Sequence, residues 1–505
     1  MDAFQGLMSG FQVAFSLQGI LFVFIGVFVG TFIGMMPGLG PISAIAIMIP
    51  ITYSMDPTVA LVMMAGVYYG AIFGGSSSSI LLNAPGVAGT VATAFDGYPM
   101  AQQGKAGKAL AIAAIASFTG GTVSVILLML FTPMLSAVAV SFGPAEYFAL
   151  MFMGLTAISS LSEGSTIKAF ISATLGFIVV TIGIDSQTGT SRFTFGNPNL
   201  LEGIDFLVIA LGLFALAEVC TLVLNRKDDT MSNNKELGSL RISKQDMKEM
   251  RGPMTRQSLL GFIIGVLPGA GATIASFIAY ITEKKMAKNP EEFGKGSIKG
   301  LAAPETANNA ATGGAFVPLL SLGIPGSGTT AVLLGAFLVL GVQPGPLLIQ
   351  DRPEVFWGII ASMYVGNIFL LILNLPLIPY IAKVLRIPRP MLISLVIIFS
   401  LIGVYAISFN TFDLYLLVAF GIIGFLMRMV SFPAAPFILA FILGGMMEQA
   451  LRQTLTISNG SLSIFLDKPI ALTLIGVSLL TILVPLFTSK RKLTEASPEK
   501  QKNIS

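Results

Sequence analysis

Two Pro-Gly sequences interrupt apolar stretches of this chain about 231 residues apart. The first reads Gly34-Met35-Met36-Pro37-Gly38-Leu39-Gly40-Pro41, the second Gly265-Val266-Leu267-Pro268-Gly269-Ala270-Gly271-Ala272. Glycine permits positive φ and close approach of a ligand. A helix that restarts after such a break turns its unpaired N–H groups into the gap, where they suit an anion. Pro41 fits the first turn of a restarted helix, because its missing N–H is not needed there; at the second break Thr273 adds a hydroxyl. Pro37, Gly38 and Gly40 are therefore candidate substrate contacts, with Pro268, Gly269, Gly271 and Thr273. The competing reading of each break is a packing kink. Recurrence in matching positions favours a binding site.

A second pair of breaks follows the first. Gly74-Gly75 leads into Ser76, Ser77, Ser78 and Ser79, then Asn83 and Pro85-Gly86. Four consecutive serines cover every face of a helix, which predicts an unwound tip lined with hydroxyls. The alternative is serines bonded back to their own helix or used as small contact residues. The corresponding stretch runs Pro304-Glu305-Thr306-Ala307-Asn308-Asn309 to Gly313-Gly314, then Pro325-Gly326-Ser327-Gly328-Thr329-Thr330. Adjacent asparagines offer donors to a carboxylate, or carbonyl oxygens to Na⁺, without net charge. The candidate substrate contacts here are Ser76–Ser79, Asn83, Gly86, Asn308, Asn309, Gly326, Ser327, Thr329 and Thr330. Glu305, Asn308 and Asn309 are candidates for a coupling ion. Glu305 reads equally well as a helix cap near the interface, and the asparagine pair as a surface turn.

The elements that position these residues lie in a membrane. Hydrophobic residues make up 54% of the 505 and charged residues only 11%, well under the ~25% of soluble domains. Apolar runs at 11–36, 58–82, 107–138, 166–184, 203–225, 355–381, 389–408, 412–430 and 468–488 approach or exceed the roughly 20 residues of a membrane span. The chain is thus read as an all-α polytopic membrane protein with broken helices. Lys105 is the first basic residue, whereas Arg226, Lys227, Lys235, Arg241, Lys244, Lys248, Arg251 and Arg256 cluster together. The positive-inside rule puts that cluster in the cytoplasm and the N-terminus outside. The expected organisation is a first repeat half at 1–225, a cytoplasmic linker at 226–255, a second half at 256–489 and a cytoplasmic tail at 490–505. The arms 256–267 and 271–282 flank the second tip and are 12 residues each, about 18 Å of helix, short of the roughly 30 Å core. They predict a re-entrant hairpin entered from the cytoplasm. The basic-free flanks of the first tip predict the opposite side, hence an inverted duplication.

Several function classes are excluded. A basic nucleic-acid patch does not fit so apolar a chain. The first apolar run has no basic residues before it, so a retained helix is expected rather than a cleaved leader. A single cysteine, Cys220, makes no disulfide framework, and the absence of histidine removes the usual proton shuttle and metal ligand. No phosphate loop, metal-ligand spacing or nucleophile elbow occurs, so neither a cofactor, a metal nor an enzyme is expected. No Lys or Arg falls within the broken segments, so an anion would rely on helix ends, hydroxyls and amides.

The motifs Pro37-Gly38-Leu39-Gly40-Pro41, Gly74 through Gly86, and Glu305-Thr306-Ala307-Asn308-Asn309 through Gly326 resemble the large membrane subunit of bacterial tripartite tricarboxylate transporters, over about residues 10–485. The resemblance implies a secondary active symporter in the inner membrane, driven by Na⁺ or H⁺. It implies a periplasmic solute-binding protein and a small membrane subunit of about four helices as partners. It further implies an organic carboxylate substrate, a tricarboxylate such as citrate or a related dicarboxylate; an elevator-like shift against a fixed scaffold is one motion that would carry it. A stand-alone secondary carrier or channel for a small anion is the alternative, with an intramembrane enzyme behind it.

Overall fold

The computed structural model describes residues 3–36, 39–161, 165–185, 187–224, 238–269, 271–381 and 389–495. Helices dominate, and the described strands are two residues each, Gly183–Ile184 paired antiparallel with Ser191–Arg192. Seven described helices are long and apolar enough to cross a membrane: Leu17–Gly34, Pro57–Leu82, Ala106–Ala139, Phe206–Leu224, Pro353–Asn374, Thr411–Met429 and Ala434–Ile457. The all-α polytopic class is therefore correct. The run 11–36 is divided: Ala3–Ala14 ends before Ser16, whose hydroxyl accepts the Gly19 N–H and starts a new helix. Ala434–Ile457 is absent from the apolar runs found in the sequence, because Glu448 and Arg452 interrupt its hydropathy.

Two compact units are present. One comprises Met1–Val140 and Asp205–Met429, the other Ser141–Ile204 and Val430–Ser505. In the smaller unit, Asp185 and Glu448 lie among Arg192 and Arg452. Arg452 is 2.7 Å from Asp185 and 2.6 Å from Glu448, and Arg192 is 2.9 Å from Glu448. The Asp185 carboxylate also accepts the Thr188 and Gln187 N–H groups. Those contacts, Thr188 first and Arg452 next, hold its carboxyl well below the usual range.

The larger unit carries every described site candidate. Its interior is built on close helix contacts that need glycine. A Cβ on Gly26, Gly30 or Gly34 would overlap the carbonyl of Met63, Val67 or Ala71 on Pro57–Leu82. Likewise, a Cβ on Gly261 or Gly265 would overlap Ala307 or Ala311 on Ile298–Gly314. Small residues let helix backbones approach in a membrane. In Pro57–Leu82, 94% of the apolar window is buried, against 28% in Thr411–Met429, so the serine-bearing helix is interior.

The second tip joins Lys244–Val266 to Gly271–Met286, and these helices fold back on one another. Arg256 donates to Glu283 at 3.0 and 2.7 Å and Gln257 donates to it at 2.8 Å, tying the middle of the first helix to the last turn of the second. The leading arm is longer than its apolar sequence predicts. Ser243 caps it with a capping box, and Lys108 meets Asp246 at 2.8 Å. Met250 and Met254 then pack on the cluster containing Ala109, Ile112 and Leu301, so the helix begins inside the stretch expected to be linker.

Candidate functional site

The helix Ile298–Gly314 starts at Ser297, whose hydroxyl accepts the Gly300 N–H, and is buried along nearly its whole length. Its polar side chains mostly bond one turn back: Thr306 to the Ala302 carbonyl, Asn309 to that of Glu305, Thr312 to that of Asn308. Asn308 does not. It is fully buried, and neither Oδ1 nor Nδ2 has a partner. The amide stands against Gly89, where a Cβ would meet Asn308 Oδ1 and the Ala272 methyl. Asn308 thus sits where the loop after Pro85-Gly86 approaches the start of Gly271–Met286. An unbonded amide in a buried position costs about 1–3 kcal/mol per group, a cost that a bound ligand, ion or water would remove.

One turn earlier, the fully buried Glu305 accepts hydroxyls from three other helices. Ser76 donates at 2.8 Å, Ser117 at 2.7 Å, and Thr93 donates to the other oxygen. Among the described residues no basic side chain pairs with it. The expectation of a helix cap near the interface does not hold; Glu305 lies mid-helix in the interior.

Both broken segments end their first helix left-handed, Asn83 at φ 54° and Gly323 at φ 71°. Gly86 then lies against the Gly34 carbonyl and Gly75, and Gly326 lies against Ala315. The second tip is joined to its loop, since the Gly269 N–H donates to the Gly326 carbonyl at 2.9 Å. Gly269 and Gly271 adopt φ of 84° and 60°, which favours glycine at both. Ser327 and Thr330 form a reciprocal cap on Gly328–Val339, and Ser327 Oγ is 3.5 Å from the Tyr68 hydroxyl. Sequence reasoning missed Tyr68, Thr93 and Ser117. Hydroxyls scattered in apolar helices carry no local signal of what they face.

The structure thus groups Ser76 with Glu305, Asn308 with the Gly89 loop, and Gly269, Gly271, Gly326, Ser327 and Thr330 around the second tip. Thr329 is buried beside Thr330, and Thr273 is half-buried in the first turn after that tip. Pro268 is half-buried within it. The four serines are not an unwound tip: they belong to the continuous helix Pro57–Leu82, and the break follows at Asn83. Ser78 and Ser79 donate back to the Gly75 carbonyl, Ser79 also meets Thr90, and Ser77 is buried. Asn83 is exposed and acts as the helix end. The asparagine pair is not a surface turn. Gly40 precedes Pro41–Thr52 with an ordinary φ of −76° and open space before it. Pro37 and Gly38 lie outside the described residues.

The assembled chemistry is an uncharged, amide- and hydroxyl-lined locus beside a buried carboxylate. It has donors for an anion and oxygens for a cation. Among the described residues, no group of three His, Cys, Asp or Glu side chains could hold a metal.

A family model described as the tripartite tricarboxylate transporter TctA family matches residues 20–439. An Agrobacterium vitis protein, described as an uncharacterized 52.8 kDa protein in the TAR-I ttuC' 3' region, is 45% identical over 491 residues, covering 97% of this chain and 98% of that one. A second A. vitis protein, described as lying in the TAR-II ttuC' 3' region, is 47% identical over 231 residues, 46% of this chain and 96% of its own. No solved structure matches.

Proposed function

The chain belongs to the tripartite tricarboxylate transporter TctA family, and on that premise we propose that it carries an organic carboxylate past Asn308 in symport with a cation. The substrate is a tricarboxylate such as citrate or a related dicarboxylate. Buried Asn308, with no partner for its amide, is the observation that carries this reading. A substrate carboxylate accepts from its Nδ2 while the restarted helices Gly271–Met286 and Gly328–Val339 turn their positive ends toward the breaks. The matched glycine contacts at Gly34 and Gly265 support a duplicated architecture, and the opposite charge flanks of the two tips support its inversion across the membrane.

Na⁺ or H⁺ enters with the substrate to offset its charge, and Glu305 supplies the fixed negative charge that the ion meets. A periplasmic solute-binding protein delivers the substrate and a small membrane subunit completes the permease, in the bacterial inner membrane with the N-terminus outside and the C-terminus in the cytoplasm. The experiment is uptake into proteoliposomes holding all three components, across a panel of carboxylates under separate Na⁺ and H⁺ gradients. Gradient-driven uptake that vanishes when Asn308 and Asn309 are both replaced by Ala is the expected result. Full uptake by that double variant would sink the site.

A further inference from the structure

We propose that a cavity of about 20 Å³ beside Asn309 and Asn367 is a seat for one dehydrated monovalent cation, taken as Na⁺ from the coupling ions proposed above. This deepens the ion-driven reading above and rests on it. The cavity holds one water-sized particle, for which ~10–15 Å³ suffices, and no organic anion fits.

Its lining brings together two asparagines, a serine and a tyrosine. Asn367 Nδ2 donates to the Phe118 carbonyl and to Thr122 Oγ1, both at 2.9 Å. Both amide hydrogens are therefore committed, and Oδ1 is left beside Gly121 on the cavity wall. Asn309 Nδ2 is turned to the Glu305 carbonyl at 3.0 Å, and Ser124 donates to the Gly121 carbonyl at 2.7 Å. Tyr69 Oη is buried on the same wall with no partner at all. Gly313 brings in the point where Ile298–Gly314 passes through Ala315 into the next helix, Phe316–Leu322. Pro318, four residues beyond Gly314, has no N–H to return to the Gly314 carbonyl. Neutral oxygens gathered at a break in a helix are the means by which a protein replaces the water around an alkali cation. The seat lies one helical turn from Glu305, whose charge favours any cation placed there.

Gly121 also shows how to close it. A Cβ there would come 2.9 Å from Asn367 Oδ1. The test measures the melting temperature of the purified full-length chain in lipid nanodiscs, with NaCl titrated against choline chloride at constant ionic strength and no carboxylate present. A ligand of the folded state raises that temperature. Wild type should show a saturable rise with Na⁺ and less with K⁺. Tyr69→Phe removes an unbonded hydroxyl, and Gly121→Ala fills the space. Each should raise the half-saturating Na⁺ concentration about tenfold or more; Tyr69→Phe should leave the melting temperature in choline close to wild type, whereas Gly121→Ala, whose Cβ displaces the Asn367 amide, should lower it. No response to Na⁺ in wild type, or the same response in both variants, means that the cavity holds water only and overturns the proposal. Carboxylate uptake is read separately, so failure of the seat and failure of the transport reading give different results.

Discussion

The Ser76 hydroxyl lies 2.8 Å from the Glu305 carboxylate, although 229 positions separate the two residues. Thr93 and Ser117 complete the same cluster from two further helices. Glu305→Gln keeps the side-chain length and removes the charge. Gradient-driven uptake should fall by about tenfold or more, equivalent to ~1.4 kcal/mol, while exchange of carboxylate at equal ion concentrations persists. Uptake in proteoliposomes measures both, and an unchanged response to the gradient assigns Glu305 a purely structural role.

The Asn308 side chain is bonded to nothing in the protein, so Asn308→Ala removes two unsatisfied buried groups and should leave the chain at least as stable as wild type. Citrate affinity should weaken by ~1.5–3 kcal/mol, the range for a hydrogen bond to a charged group. Calorimetric titration of the purified chain checks the affinity and thermal unfolding checks the stability. Lost stability with unchanged affinity would reverse the assignment.

Gly30 and Gly34 face carbonyls of the adjoining helix, and a methyl at either position has nowhere to go. Gly30→Ala and Gly34→Ala should each cost ~1–3 kcal/mol, the range for overpacking. Gly445→Ala and Gly476→Ala, where a Cβ meets nothing within 4 Å, should be neutral or slightly stabilising. Melting temperatures of the four variants in one detergent settle the comparison.

Asp185 yields a pH dependence whose sign is fixed. Its carboxyl is held below the usual range in the folded chain by the Thr188 N–H, Arg452 and the Gln187 N–H. The stabilisation is therefore present above the unfolded value of about 3.9 and is lost as pH falls below it. Asp185→Asn should lower the melting temperature at about pH 7, and the difference should shrink toward about pH 3. A difference that grows on acidification contradicts the ion-pair arrangement.

Local sterics made the breaks legible. Proline and glycine act on their own backbone, so Pro85-Gly86, Pro325-Gly326 and the tip at Pro268-Gly269 are found where the sequence puts them. The serine run misled for a local reason as well. Serine tolerates a membrane helix by bonding back to it, as Ser78 and Ser79 do to Gly75, so hydroxyl density alone does not unwind a helix. The span Ala434–Ile457 was hidden by Glu448 and Arg452, whose charges are met by Arg192 and Asp185 from a distant loop.

The amino-acid sequence by itself determined the membrane class, the positions of the breaks and the uncharged character of the broken segments, because hydropathy and backbone sterics act over a few residues. Tertiary structure decided which polar groups are left over. Asn309 and Thr312 bond within their helix while the side chain of Asn308, next to Asn309 in the same stretch, faces Gly89 unbonded. That difference depends on which loop packs against which helix face, and the hydrogen-bonding capacity of an asparagine is the same wherever it stands in the chain.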